Sequence, residues 1–85
     1  MNYLVQFSAT ARRDILDIPD PMQRRIESTT DDLGIHPRPV GCKKLKGLEN
    51  MWRTRVGDYR ILYGIDDRNK LVTIYRILHR KEAYR

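Results

Sequence analysis

Eighty-five residues, 40% of them hydrophobic and 33% charged, describe a chain that folds around one small core and exclude both a disordered segment and a multi-domain protein. Seventeen Lys and Arg against eleven Asp and Glu leave a formal charge of +6, which favours polyanionic partners such as nucleic acid, the ribosome, a membrane surface or an acidic protein segment. Cys42 is the single cysteine, so an internal disulfide framework and a Cys-built metal cage are excluded, and His36 and His79 lack metal-ligand spacing.

The opening "MNYLVQF" has neither the basic start nor the long apolar stretch of a signal peptide. No apolar run approaches the ~20 residues of a membrane span. The expectation is a cytoplasmic protein with no membrane partner. "YLVQF" (3–7) is rich in β-formers and predicts a first strand. Ser8 is placed to cap a helix over 9–18 with Ala11, Ile15 and Ile18 at helical spacing, and Pro19 ends it. Asp20 followed by Pro21 predicts a second start, with Asp20 as the cap and Pro21 in the first turn. Met22, Ile26 and Leu33 give that helix its apolar stripe, and Gly34 is its expected stop. The short join makes the two helices an antiparallel hairpin.

"IHPRPVG" (35–41) reads as a loop, and "CKKLKGLEN" (42–50) as a basic linker or short edge strand. Three strands follow, 51–56, 59–65 and 71–78, joined by connections short enough for antiparallel hairpins. The fold class is therefore α+β in one domain over 1–85: an N-terminal strand, a helical hairpin, then a three-stranded antiparallel meander with the helices packed on one face.

The charge has a pattern within that meander. A period of two in "MWRTRV" sets Trp52, Thr54 and Val56 on one face and Met51, Arg53 and Arg55 on the other. Along the next strand Tyr59, Ile61, Tyr63 and Ile65 form one stripe, with Arg60 and Leu62 opposite. Arg76 is interspersed with Val72, Ile74 and Leu78, and Arg80 continues that phase. Arginines from these strands thus converge on one surface, where paired guanidinium donors suit phosphate and stack on bases. Lys43, Lys44 and Lys46 form a second patch for tracking an RNA backbone. Exposed strands also carry Arg and Lys for solubility and to blunt edge pairing. Tyr59, Tyr63 and Tyr75 read as core or rim aromatics, with base-stacking platforms as the alternative, and Trp52 as core.

There is no Walker loop, G-x-G-x-x-G, H-E-x-x-H or nucleophile elbow, and no paired carboxylates in a metal-dependent motif. The expectation is no cofactor and no metal. Cleavage of a phosphodiester on such a surface suits RNA, whose 2′-hydroxyl is an internal nucleophile, and not DNA. The protein then has to align the backbone, neutralise developing charge and move protons.

"KKLKGLENMWRTRVGDYRILYGID" and the closing "VTIYRILHRKEAYR" resemble the RelE branch of the RelE/ParE superfamily of bacterial toxin–antitoxin toxins, over essentially the whole chain. The resemblance implies a type II toxin that enters the ribosomal A site and cleaves mRNA there by 2′-hydroxyl attack. It also implies a cognate antitoxin, RelB-like or other and usually encoded beside it, that blocks the activity and binds operator DNA as a complex with the toxin. Arg53, Arg55, Arg60, Arg80 and Tyr84 match the family's site positions. Some RelE members have lysine where this chain has Arg53 and Arg55. Arginine stays charged, so these two suit charge stabilisation rather than base catalysis. Arg80 and Tyr84 are also closer together than in some relatives. Histidine as a residue type, with an unperturbed pKa of about 6.5, suits proton transfer, which makes His79 a candidate, although strict alternation points it away from Arg80. Two other readings share the scaffold: a ParE-like toxin that inhibits DNA gyrase without nuclease activity, and a non-catalytic RNA-binding module.

Overall fold

A computed structural model describes residues 2–83; Tyr84 lies outside them. β1 (Leu4–Phe7) leaves Leu4 and Gln6 outward and turns Val5 and Phe7 onto the core. Ser8 caps α1 (Ala9–Leu16) as expected, its Oγ accepting from the Ala11 N–H at 3.0 Å. The same hydroxyl donates to the Tyr75 carbonyl at 3.0 Å, which fixes the strand-to-helix turn against a distant strand.

α2 (Met22–Leu33) starts differently from expectation. The Asp20–Pro21 peptide is cis, and Pro21 occupies the cap position without a side-chain cap bond. Asp20 instead faces Arg24 at 3.7 Å. The start is held by backbone carbonyls, with the Gln23 N–H donating to Pro19 at 3.1 Å and the Arg25 N–H to Pro21 at 3.2 Å. Gly34 does end the helix, but not through a left-handed conformation, since its φ is −68°. A Cβ there would stand 2.9 Å from the Tyr3 carbonyl oxygen and 3.0 Å from Val5 Cγ2. Glycine lets α2 end directly against β1, where the Tyr3 N–H donates to the Gly34 carbonyl.

The expected meander is β3 (Met51–Val56), β4 (Tyr59–Asp66) and β5 (Leu71–His79). Gly57 opens the two-residue β3–β4 turn at φ +58°, a conformation glycine adopts without a Cβ penalty. The sheet is wider than the meander. β1 joins β5 in parallel from Leu4↔Leu71 to Phe7↔Ile74, and the short β2 (Lys43–Lys44) pairs antiparallel with β3. The order is β1-β5-β4-β3-β2, a five-stranded mixed sheet. Both helices cover one face, where Ala11, Ile18, Ile26 and Leu33 meet Val56, Ile61, Tyr63, Ile65, Val72, Ile74 and Ile77.

Halfway along β5 the single phase expected through Val72, Ile74, Arg76, Leu78 and Arg80 breaks. Tyr63 pairs with Ile74 but Leu62 pairs with Arg76, so Tyr75 is an extra residue. Val72 and Ile74 face the core before it, and Ile77 does after it. A β-bulge adds one residue and so reverses a period of two. Beyond Ile74 the β5 edge is no longer paired with β1, and α1 covers it. Asp14 Oδ2 accepts from the Ile77 N–H and from Arg76 Nε, both at 2.9 Å. Arg76 is thereby committed to the edge of the sheet.

Long-range polar contacts lock the 35–41 loop ahead of β2. Arg38 donates two hydrogen bonds to Asp67, at 3.2 and 2.7 Å, and its guanidinium carbon lies 5.2 Å from the Trp52 ring centroid. The Tyr3 hydroxyl donates to the same carboxylate, and the Tyr63 hydroxyl donates to the Pro37 carbonyl at 2.7 Å. Burial pushes the Tyr63 phenol well above its usual range, so it remains a donor at ordinary pH.

The Arg38 hydrogen bonds, followed by that from Tyr3, hold the Asp67 carboxyl down to about 2. An unfolded aspartate titrates near ~3.9, so the folded state favours the ionised form. The contribution is present above that unfolded value and disappears as pH falls toward the folded one. Denaturant midpoints of the wild type and Asp67→Asn are expected to differ at pH 6 and to converge as pH falls from about 4 to about 2. A constant difference across that range would contradict the linkage.

Candidate functional site: an arginine-walled groove on the open sheet face

The face opposite the helices collects the basic residues through strand alternation and register. Arg53 pairs across to Lys43 on β2 and to Leu62 on β4. Arg55 pairs with Arg60, which pairs in turn with Leu78. Each strand therefore contributes to two neighbouring rows of side chains. A groove of about 650 Å³ runs over these rows, walled by Arg53, Arg55, Arg60 and Lys43, Lys44 and Lys46, with Leu45, Leu62 and Leu78 as apolar floor and rim. No carboxylate lines it among the described residues.

A second depression of about 280 Å³ adjoins the first and shares Arg55 and Arg60 with it. Its further wall is Arg80, with Gly57, Asp58 and Tyr59 between. Arg80 is set by its backbone: its N–H donates to the Asp58 carbonyl at 2.7 Å. Its guanidinium lies 3.8 Å from the Asp58 carboxylate, an exposed pair that a stronger anion can replace. Arg60 is the most enclosed of the group at 9% exposed. Holding a guanidinium there removes its rotamer freedom on folding, so less entropy remains to be lost when an anion binds.

The expected set thus divides three ways. Arg53, Arg55, Arg60 and Arg80 line the two connected depressions, and Lys43, Lys44 and Lys46 border the larger one. Tyr84 falls outside the described residues. His79 lines neither depression. It faces the edge of Tyr59, with ring centroids 5.1 Å apart at 89°, and its Nδ1 accepts from the Lys81 N–H at 3.3 Å. That contact caps the short α3 (Arg80–Ala83), which is a structural task.

Two features of the face have no counterpart in the expected set. Leu62 and Leu78 place apolar surface between the cations; Leu62 is readable from the β4 alternation, whereas Leu78 arrives there through the β5 bulge. Tyr75, read as core or rim, is 43% exposed, and the bulge that places it has no signal in the hydrophobic pattern.

Such a surface can bind a chain of phosphates through several fixed cations and neutralise charge that develops on one of them. Comparisons with known proteins give the family. A family model described as the ParE toxin of the type II toxin–antitoxin system parDE matches residues 5–84. Toxin RelG of Mycobacterium tuberculosis is 38% identical over 86 residues, covering 100% of this chain and 99% of its own. The toxin–antitoxin complex RelBE2 of the same organism contains a chain 34% identical, at a TM-score of 0.83 and covering 93% of this chain and 99% of that one. A chain of the archaeal RelE–RelB complex from Pyrococcus horikoshii is 27% identical at a TM-score of 0.84, covering 94% and 97%. With the match running over nearly the full length of chain and relatives alike, the protein belongs to the RelE/ParE superfamily of type II toxin–antitoxin toxins and, by its relatives, to the RelE family within it.

Proposed function

We propose that this toxin is a ribosome-dependent endoribonuclease that cleaves mRNA in the ribosomal A site and so stops translation. The observation that carries the reading is the Arg55–Arg60 pair, in register across β3 and β4 and shared by two adjoining depressions, with Arg53 in one and Arg80 in the other. The 2′-hydroxyl attacks the adjacent phosphorus, forming the O2′–P bond and breaking the P–O5′ bond. One proton leaves the 2′-hydroxyl and one reaches the 5′ oxygen, so the products are a 2′,3′-cyclic phosphate and a 5′-hydroxyl. Arg53 and Arg55 hold the scissile phosphate and stabilise its developing charge. Arg60 grounds the phosphate and orients the sugar, and Arg80 serves the leaving-group side. Tyr84 stacks on a base or assists a proton transfer. The guanidinium groups act as charge stabilisers rather than as proton carriers. Lys43, Lys44 and Lys46 track the backbone beyond the reacting phosphate.

A RelB-like antitoxin is the proposed inhibitor, in line with the RelB partners in the related complexes. An acidic, amphipathic segment that folds on binding fits cations interleaved with Leu62 and Leu78. Operator DNA is reached through that complex. Inhibition of DNA gyrase without RNA cleavage is the second reading, favoured by the ParE description of the matching family model.

Mapping RNA ends after induction separates the two. The expected result is mRNA cut within codons, with cyclic-phosphate 3′ ends and 5′-hydroxyl partners, together with rapid translation arrest. Intact mRNA with a DNA-damage response would overturn the nuclease reading and favour the gyrase one.

A further inference from the structure

We propose that Tyr75 is a nucleobase-stacking platform for the single-stranded RNA held at Arg55 and Arg60, an inference that rests on the nuclease reading above. The sheet geometry puts Tyr75 on the same face as the arginines. Gly64 shares the outward phase of Arg60 and Leu62 on β4, and it pairs with Met51 and Thr73. A Cβ on Gly64 would project onto that face and stand 3.0 Å from Tyr75 Cε2 and 3.4 Å from Met51 Sδ. The tyrosine ring therefore occupies the space a side chain at 64 would take.

The backbone builds this position rather than merely allowing it. Tyr75 is the extra residue of the β5 bulge, and bulges re-aim side chains beside functional sites. Its carbonyl is held by the Ser8 hydroxyl at 3.0 Å, and the absent Cβ at Gly64 makes room for the ring. A depression of about 190 Å³ lies beside it, with Met51, Gly64 and Thr73 in its lining and the carboxylates of Glu49 and Asp66 also bordering it. Tyr63, by contrast, is fully buried in the core, and Tyr59 packs against that core.

Spacing and chemistry select the occupant. Gly64 is four residues along β4 from Arg60, about 13 Å at ~3.3 Å per residue. A strand anchored by its phosphate at Arg60 passes Tyr75 with a neighbouring nucleotide, not with the one being cut. Every base has a π face, so stacking supplies affinity without demanding a sequence. The tyrosine binds the flanking nucleotide and takes no part in the proton transfers.

The test titrates the free, folded toxin into a single-stranded oligoribonucleotide containing 2-aminopurine, at several salt concentrations. Tyr75→Phe is expected to keep wild-type affinity and fluorescence quenching. Tyr75→Leu, which still covers Gly64, is expected to bind about tenfold more weakly, with quenching lost and both salt slope and thermal midpoint unchanged. Arg53→Ala with Arg55→Ala is expected to reduce the salt slope by about 1.4. Wild-type affinity and quenching in Tyr75→Leu, with the arginine variant weakened, would overturn the platform and leave the nuclease reading standing. Intact RNA binding with weakened capture of a RelB-like antitoxin would overturn it by assigning the tyrosine to a protein interface. Absence of salt-dependent binding by the wild type itself would overturn the platform, and the RNA-end mapping above decides the nuclease reading separately.

Discussion

Arg60→Met is expected to slow cleavage of ribosome-bound mRNA by about 10²–10³-fold, the loss typical of removing one preorganised donor from a developing charge. Methionine keeps much of the apolar stem, so the 9%-exposed position stays filled while the charge and the donor fork are lost. Arg60→Lys separates those two properties. It retains charge without the planar fork and is expected to fall between wild type and Arg60→Met. Arg24→Ala removes the same charge from an exposed turn of α2 and is expected to cleave at the wild-type rate. Adding Arg80→Ala to Arg60→Met tests the second depression. The double variant is expected to lose toxicity while still binding the antitoxin, because fold and apolar surface persist. Cleavage by Arg60→Met at the wild-type rate would take this residue out of the reaction.

The expectation about Arg60 was legible because β3 and β4 are half-buried antiparallel strands. In such strands burial of one face imposes a period of two on the sequence. Val56, Ile61 and Tyr63 face the core, and Arg53, Arg55 and Arg60 follow onto the other face by parity. The same argument fails on β5, where it assumes an unbroken strand. Tyr75 breaks it, and nothing in "LVTIYRIL" marks the bulge, since β-branched and aromatic residues suit either phase. The Leu78 side chain still reaches the groove, through the bulge rather than through an unbroken alternation.

The helical starts show a second limit. Ser8 was legible because a cap is a local bond, made between Oγ and the Ala11 N–H. Asp20 carries an equally good capping side chain, yet Pro21 takes the cap position and Asp20 turns to Arg24. The parallel β1–β5 pairing and the Arg38–Asp67 lock are long-range. Contacts of that separation leave no periodic trace, so the helical hairpin and meander could be read while the width of the sheet could not. Gly34 lies between these cases. Its place at the helix end was readable, whereas the reason is the approach of Tyr3 and Val5 from the other end of the fold.

Ile26→Ala is expected to remove about 2–5 kcal/mol of stability, the usual range for truncating a buried isoleucine. Ile26 is fully buried from α2, in the cluster that also holds Val56 and Ile61. Those two residues alternate with Arg55 and Arg60, so the cavity opens behind the strands that carry the proposed site. In a chain of this size such a loss lowers the thermal midpoint by about 10 °C or more, out of a total stability of only about 5–15 kcal/mol. Ile26→Val removes one methylene and is expected to lose about 0.5–1.5 kcal/mol. Well below its midpoint, Ile26→Ala is expected to cleave at nearly the wild-type rate. The Arg55–Arg60 register is set by the β3–β4 ladder, which the truncation does not touch. Antitoxin at about 100 times its Kd is expected to restore about 2.7 kcal/mol by mass action alone, and so to hide much of the defect. A midpoint within about 2 °C of wild type would show that α2 contributes little to this core. A large loss of cleavage with an unchanged midpoint would show that the back of the sheet governs the arginines on its front.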